Sequence, residues 1–170
     1  MPYTKEIYRP QAVGGKLLES SCRYNSGPGQ WDTVEFDRAG ARIRFSAFNG
    51  YYGPTLFVSI TLLEGDTAEI SPPTAMLTSP AFSEPVRLLA KSYSWYEQGQ
   101  EKTQPIDEKI IVRNVLNIRR NYYISFRADQ TLPEAFEVIP PQILLNGKPI
   151  ELPPIKFNWE KALMFMTINC

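Results

Sequence analysis

Ala41-Arg42-Ile43-Arg44-Phe45-Ser46-Ala47-Phe48 alternates without a break: Ile43, Phe45 and Ala47 project to one side, and Arg42, Arg44 and Ser46 to the other. A period of two marks a strand with one buried face, because successive side chains leave a pleated backbone on opposite sides. Asn49-Gly50 and Gly53-Pro54 then bracket Tyr51-Tyr52 in a tight loop, and Thr55 to Leu63 repeats the pattern. There Leu56, Val58, Ile60 and Leu62 point inward, with Thr55, Ser59 and Thr61 outward. Tyr122 to Ala128 reads the same way, setting Tyr122, Ile124 and Phe126 opposite Tyr123, Ser125 and Arg127.

Residues 1–15 read as a lead-in segment ending at Gly14-Gly15. Lys16 to Tyr24 predicts a strand carrying Cys22, Ser26 to Gly29 a loop, Val34 to Phe36 a short strand and Asp37 to Gly40 a turn. Pro72, Pro73, Pro80 and Pro85 restrict any strands over 68–85 to short or edge positions. Pro85 to Tyr96 predicts a longer strand, and the polar run Glu97 to Lys109 an exposed loop. Ile110 to Ile118 fits a strand face and a helical stripe alike; its β-branched content favours strand. In the run from Pro140 to Pro154, Asn146-Gly147 between apolar arms is a strong hairpin signal, since both turn residues tolerate positive φ. Pro149 places the second arm at an edge. Ile155 to Phe157 continues the sheet, and Ala162 to Ile168 forms a last strand. Roughly nine or ten short strands with this punctuation predict a single all-β domain over 1–170, an antiparallel β-sandwich with the immunoglobulin-like arrangement as the candidate.

The bulk numbers agree. The 170 residues are 43% hydrophobic and 21% charged, a globular balance, and 15 prolines disfavour long helices. Eighteen basic and 18 acidic side chains cancel, so there is no general attraction to nucleic acid, and none is expected as a partner. No apolar run reaches the roughly 20 residues of a transmembrane helix. The opening Met1-Pro-Tyr-Thr-Lys-Glu6 has no signal-peptide core. Export therefore requires that a signal was trimmed ahead of Met1, and a lipid anchor would then be open.

Cys22 and Cys170 admit two readings, free thiols or one disulfide, and the disulfide is the sharper expectation. It would close nearly the whole chain, with a chain-entropy stabilisation of up to about 5 kcal/mol, and would imply an oxidising compartment, periplasmic or outer-membrane-associated. Two distant cysteines and no histidine supply no zinc site. Glu64, Asp66 and Glu69 cluster around a turn without calcium-loop spacing, so a solvated turn is expected there. No metal or cofactor is expected.

Without histidine, Ser-His-Asp and Cys-His catalysis are excluded, and no phosphate-binding glycine loop is present. A carboxylate pair stays open as the one route to an enzyme, because such pairing is spatial. The expectation is a non-catalytic binding protein. Its candidate contact residues are the tyrosines Tyr51 and Tyr52, the pair Trp95-Tyr96, and the basic pair Arg119-Arg120 near Arg113 and Arg127. Adjacent aromatics on a strand place one ring inside and one outside, as Tyr122-Tyr123 would also do. Exposed rings suit a protein partner or, alternatively, a carbohydrate or envelope surface; the arginines suit an acidic partner.

Phe136-Glu-Val-Ile-Pro-Pro-Gln-Ile-Leu-Leu-Asn-Gly-Lys-Pro-Ile-Glu-Leu-Pro-Pro-Ile-Lys-Phe157 resembles the C-terminal hairpin of small uncharacterised proteobacterial exported proteins and lipoproteins, in which a proline-led arm turns at Asn-Gly into a Leu-Pro arm. The resemblance implies export and, by association with small exported sandwiches, an accessory or immunity protein that neutralises a secreted toxin. It assigns no site residue.

Overall fold

The alternating stretches become strands because each has an apolar row to bury and a backbone whose N–H and C=O groups a neighbouring strand satisfies. The computed structural model describes residues 2–18, 32–51, 53–116 and 118–165. Among these are β1 (Pro2–Gln11), β2 (Lys16–Leu18), β3 (Thr33–Arg38), β4 (Ala41–Gly50), β5 (Gly53–Leu62), β6 (Thr67–Ile70), β7 (Thr74–Thr78) and β8 (Val86–Glu97). There follow β9 (Gln100–Pro105), β10 (Ile110–Arg113), β11 (Arg120–Arg127), β12 (Ala135–Ile139), β13 (Ile143–Leu145), β14 (Lys148–Ile150) and β15 (Ile155–Phe165). The fold is all-β, with antiparallel sheets in a sandwich, near-barrel arrangement. An 11-stranded sheet runs β1-β15-β12-β7-β8-β11-β5-β4-β3-β2, with β9 added on β8, and a 4-stranded sheet runs β10-β6-β13-β14. Immunoglobulin-like domains share the sandwich with seven to nine strands; here the larger sheet alone has 11.

The inward rows meet in one core. Ile43, Phe45, Val58, Ile60, Ile124 and Phe126 of the large sheet pack with Ala68, Ile70, Ile110, Val112, Ile143 and Leu145 of the small one, all almost fully buried. The inward rows of β4, β5 and β11 are those of the sequence reading; on the other side of β5, Thr55 and Ser59, read as outward, are themselves buried. So is the hairpin: Asn146 and Gly147 have φ of 51° and 77°, and β14 with its Pro149 is an edge strand.

Four expectations change, the first being that the strand read over Ile110 to Ile118 ends at Arg113, where Asn114 begins a loop. Residues 1–15 are not a lead-in, because Pro2–Gln11 pairs along its length with β15. Ile7 and Tyr8 are both buried there, an adjacent pair that hides the two-residue period. Glu97 to Lys109 is not a loop. Gln98 and Gly99, with φ of 51° and 75°, turn β8 directly into β9. Every residue of β9 is exposed, so it carries no apolar row to read. Finally, Ile155–Phe165 is one strand instead of two. The strand expected over 16–24 is described as far as Leu18; Cys22 and Cys170 lie outside the described residues.

The large sheet curls until β1 lies against β3 and β4. A polar clasp joins these parts. The Tyr8 hydroxyl donates to the Leu132 carbonyl (2.9 Å) and accepts from the Asn49 amide (2.9 Å), while the Asn49 carbonyl accepts the Leu132 N–H (3.1 Å). Burial pushes the Tyr8 hydroxyl above its ordinary pKa of 10.0; the Asn49 bond pulls it down, and Glu6 and Glu134 add to the rise. An acid whose folded pKa is raised contributes stability below the unfolded value and loses it as pH climbs through the folded one. Tyr8→Phe is therefore expected to cost about 1 kcal/mol at neutral pH, with the gap to wild type narrowing as pH passes about 10. Thermal unfolding across that range checks it; a gap that widens in alkali would contradict the buried, proton-donating Tyr8.

Candidate functional site

β5, β11, β8 and β9 lie side by side, so their outward rows form one face. Tyr123 stands between Ser59 and Ser94, Ser94 faces Thr103, and Tyr96 faces Glu101. The register of β8 on β11 slips between Ile124 and Phe126: Ile124 pairs with Tyr93 and Phe126 with Ala90, leaving Lys91 and Ser92 opposite Ser125. Such a bulge bends its strand and sharpens the local twist. The bend hollows the face into a groove of about 650 Å³, in which Phe57 lies opposite Ser125 and Tyr123 opposite Ser94, with Tyr96 beyond them at one end and Lys91, then Leu89 and Arg127, towards the other. A second hollow, of about 410 Å³, shares Tyr96 and Tyr123 and is completed by Leu116, Ile118, Arg119 and Arg120.

Phe57 stacks on Tyr123 (centroids 5.8 Å apart, planes at 22°), and Tyr96 meets Tyr123 edge-on (6.1 Å, 82°). Tyr96 is 57% exposed. Past it, Ile118 is 63% exposed, and Val115 in the same loop is 70% exposed, which is unusual for β-branched apolar residues. Asn114 explains their placement. It is fully buried; its amide donates to the carbonyls of Leu62 (3.0 Å) and Ile118 (2.7 Å), and its side-chain oxygen accepts the Leu116 N–H (3.1 Å). Its backbone is bonded to Gly65 and Asp66.

No family model, curated protein or solved structure matches this chain.

The candidate residues sort into three places. Tyr96, Arg119 and Arg120 come together at the second hollow, where Arg120 pairs with Glu97 at 3.2 Å. Trp95 turns inward, stacking on Tyr93 at 5.8 Å and leaning on Tyr122 at 6.3 Å. Tyr93 donates to Gln104 (2.9 Å), and burial raises its pKa, with Tyr122 adding to the rise. Tyr51 is 97% exposed in the β4–β5 turn, and Tyr52 lies outside the described residues. Thr55 faces Arg127 and Leu62 faces Arg120, so Tyr51 sits at the other end of the strands from Arg120. Seven residues of strand separate these levels, roughly 23 Å at 3.3 Å each. Tyr51 and the Arg119-Arg120 pair are therefore not one site.

The sequence candidates omit Tyr123, Phe57 and Lys91. Phe57 was legible: it occupies an outward position between Thr55 and Ser59, where a large apolar side chain has no core to enter. Lys91 reaches the groove through the bulge, which leaves no period to detect.

Two of the three turn carboxylates, Asp66 and Glu69, face protein donors. Asp66 accepts from the Leu63 N–H (3.3 Å) and the Asn146 amide (2.9 Å), and Glu69 pairs with Lys109 (3.4 Å). No group of three or more possible metal ligands is found among the described residues, nor a helix long and apolar enough to cross a membrane. Chemically, the groove offers ring faces, hydroxyls, two cations and a single carboxylate, Glu101.

Proposed function

We propose that this chain is a non-catalytic binding protein that docks a protein partner on the outer face of β5, β11, β8 and β9. The observation that carries the reading is the Phe57–Tyr123–Tyr96 cluster, three rings already held against one another on a polar face. Tyrosine and arginine dominate the energetics of protein interfaces, and a preset ring loses little freedom on binding. The exposed Ile118 and the second hollow extend the patch beyond the groove, giving the length a protein partner needs. The compartment we propose is periplasmic or outer-membrane-associated. That part rests on the expected Cys22–Cys170 pairing and on the resemblance of residues 136–157 to exported proteins. The same resemblance makes a secreted toxin the proposed partner and neutralisation the proposed role.

One observation favours a carbohydrate instead: the near-parallel planes of Phe57 and Tyr123, a surface on which a sugar face can stack. Against it, Tyr96 stands at 82° to Tyr123 and interrupts a flat platform. Photocrosslinking in native cells decides between them, with p-benzoylphenylalanine placed at position 96 and, as a control, at the exposed position 139 of β12. The expected result is a protease-sensitive adduct in the periplasmic fraction from position 96 only. Failure to trap any polypeptide there, together with glycan-array binding that Tyr123→Ala abolishes, would establish the carbohydrate reading in its place.

A further inference from the structure

The two hollows hold more positive than negative charge although the chain as a whole is neutral. Lys91, Arg127, Arg119 and Arg120 line them against Glu97 and Glu101, four cations to two anions, in a protein with 18 of each. The cations are also ordered in space. Lys91 and Arg127 stand at the Leu89 end of the groove, and Arg119 and Arg120 stand beyond the rings at the other. Arg120 is already matched by Glu97, whereas Lys91 and Arg119 are exposed. From the level of Arg120 to that of Arg127 is seven residues of β11, roughly 23 Å along the strand.

We infer that the partner presents an acidic segment that seats an aromatic or aliphatic side chain against Phe57, Tyr123 and Tyr96 and sets carboxylates near Lys91 at one end and Arg119 at the other. This rests on the proposed docking face and adds the partner's chemistry to it. Charge of this kind steers encounter and selects among partners more than it adds affinity. A nucleic acid fits less well. Its phosphates form an unbroken anionic row that needs many cations, and Glu97 and Glu101 interrupt the few present.

Phage-displayed random dodecapeptides, panned on the intact protein, test this. The enriched peptides are expected to combine an aromatic or large aliphatic residue with two or more Asp or Glu. They should bind the Tyr123→Ala variant at least tenfold more weakly, and likewise the Lys91→Glu/Arg119→Glu variant. Both variants are first checked for wild-type thermal unfolding; as both cations are exposed, Lys91→Glu and Arg119→Glu are also made singly. Enrichment of neutral or basic peptides that still require Tyr123 overturns the acidic partner while leaving the docking face standing. Acidic peptides indifferent to the charge reversals overturn it too. Peptides that ignore Tyr123 altogether overturn the docking face itself. A fluorescent single-stranded DNA dodecamer is run alongside; tighter binding of it than of the selected peptides, lost on charge reversal, overturns the protein partner in favour of a nucleic acid.

Discussion

Phe126→Ala is expected to lower the unfolding free energy by about 3–5 kcal/mol, a large part of the roughly 5–15 kcal/mol that holds a typical domain together. Phe126 is fully buried in β11, with strand partners on both sides. Its neighbours in register are Leu56 on β5 and Ala90 on β8. The cost of truncating a core ring depends on how far the surroundings can collapse into the space. Here one neighbour is an alanine, with nothing to swing inward. The irregular step in the β8 ladder lies immediately beside it, and closing the gap would disturb the pairing that shapes the groove. Urea unfolding followed by tryptophan fluorescence measures the effect, with Phe48→Ala as the comparison. Phe48 is 44% exposed and should lose no more than about 0.5–1 kcal/mol. A Phe126→Ala protein as stable as Phe48→Ala would mean that the inner face is not packed around this ring.

The contrast between these two phenylalanines also measures what the chain discloses about its fold. β4, β5 and β11 were legible because one row of each is apolar and the other polar, so that burial dictates the side and the side dictates the period. β9 was not, since a strand exposed on both faces has no reason to alternate; only Gln98-Gly99, with its two positive φ angles, marks the turn. β1 was hidden by the buried neighbours Ile7 and Tyr8, and its pairing with β15 joins residues some 150 positions apart, a match that no local pattern encodes. The small sheet is of the same kind: β6 binds β10 on one side and β13 on the other, segments distant from it in the chain. The site divides similarly. An aromatic pair on a strand tells that one ring faces out, and the flanking period of β11 told that it was Tyr123. For Trp95-Tyr96 the bulge shifts the count, so the outward member, Tyr96, emerges only from the register. The gathering of Phe57, Tyr96 and Arg119 from three parts of the chain needs the sheet order.

Asn114→Asp separates the role of the loop from the role of the rings. The substitution keeps the shape of the side chain and replaces its amide donor by an oxygen. That oxygen would face the carbonyls of Leu62 and Ile118, both of which now accept from the amide. A buried carboxylate with two acceptors in front of it and no cation among these bonds favours its protonated form, so its pKa in the folded protein is expected to lie above the usual carboxylate value of about 3.9. The sign follows: where the folded state binds the extra proton and the unfolded state does not, stability falls as pH rises. Relative to wild type, the variant should come closest at low pH, where the protonated group can donate to one of the two carbonyls. At neutral pH it should be weaker by about 3 kcal/mol, the scale for a buried charge left without a partner. Paired denaturant titrations at acidic and neutral pH give that difference directly. Because Asn114 also fixes Leu116 and Ile118 at the second hollow, binding to the outer face relative to wild type should be weakened in the same neutral range and the deficit should shrink in acid, while Phe57, Tyr123 and Tyr96 keep their packing on the strands. A stability gap that stays constant with pH would show that the loop rearranges to hydrate the carboxylate, and that Val115 and Ile118 are not held out by Asn114.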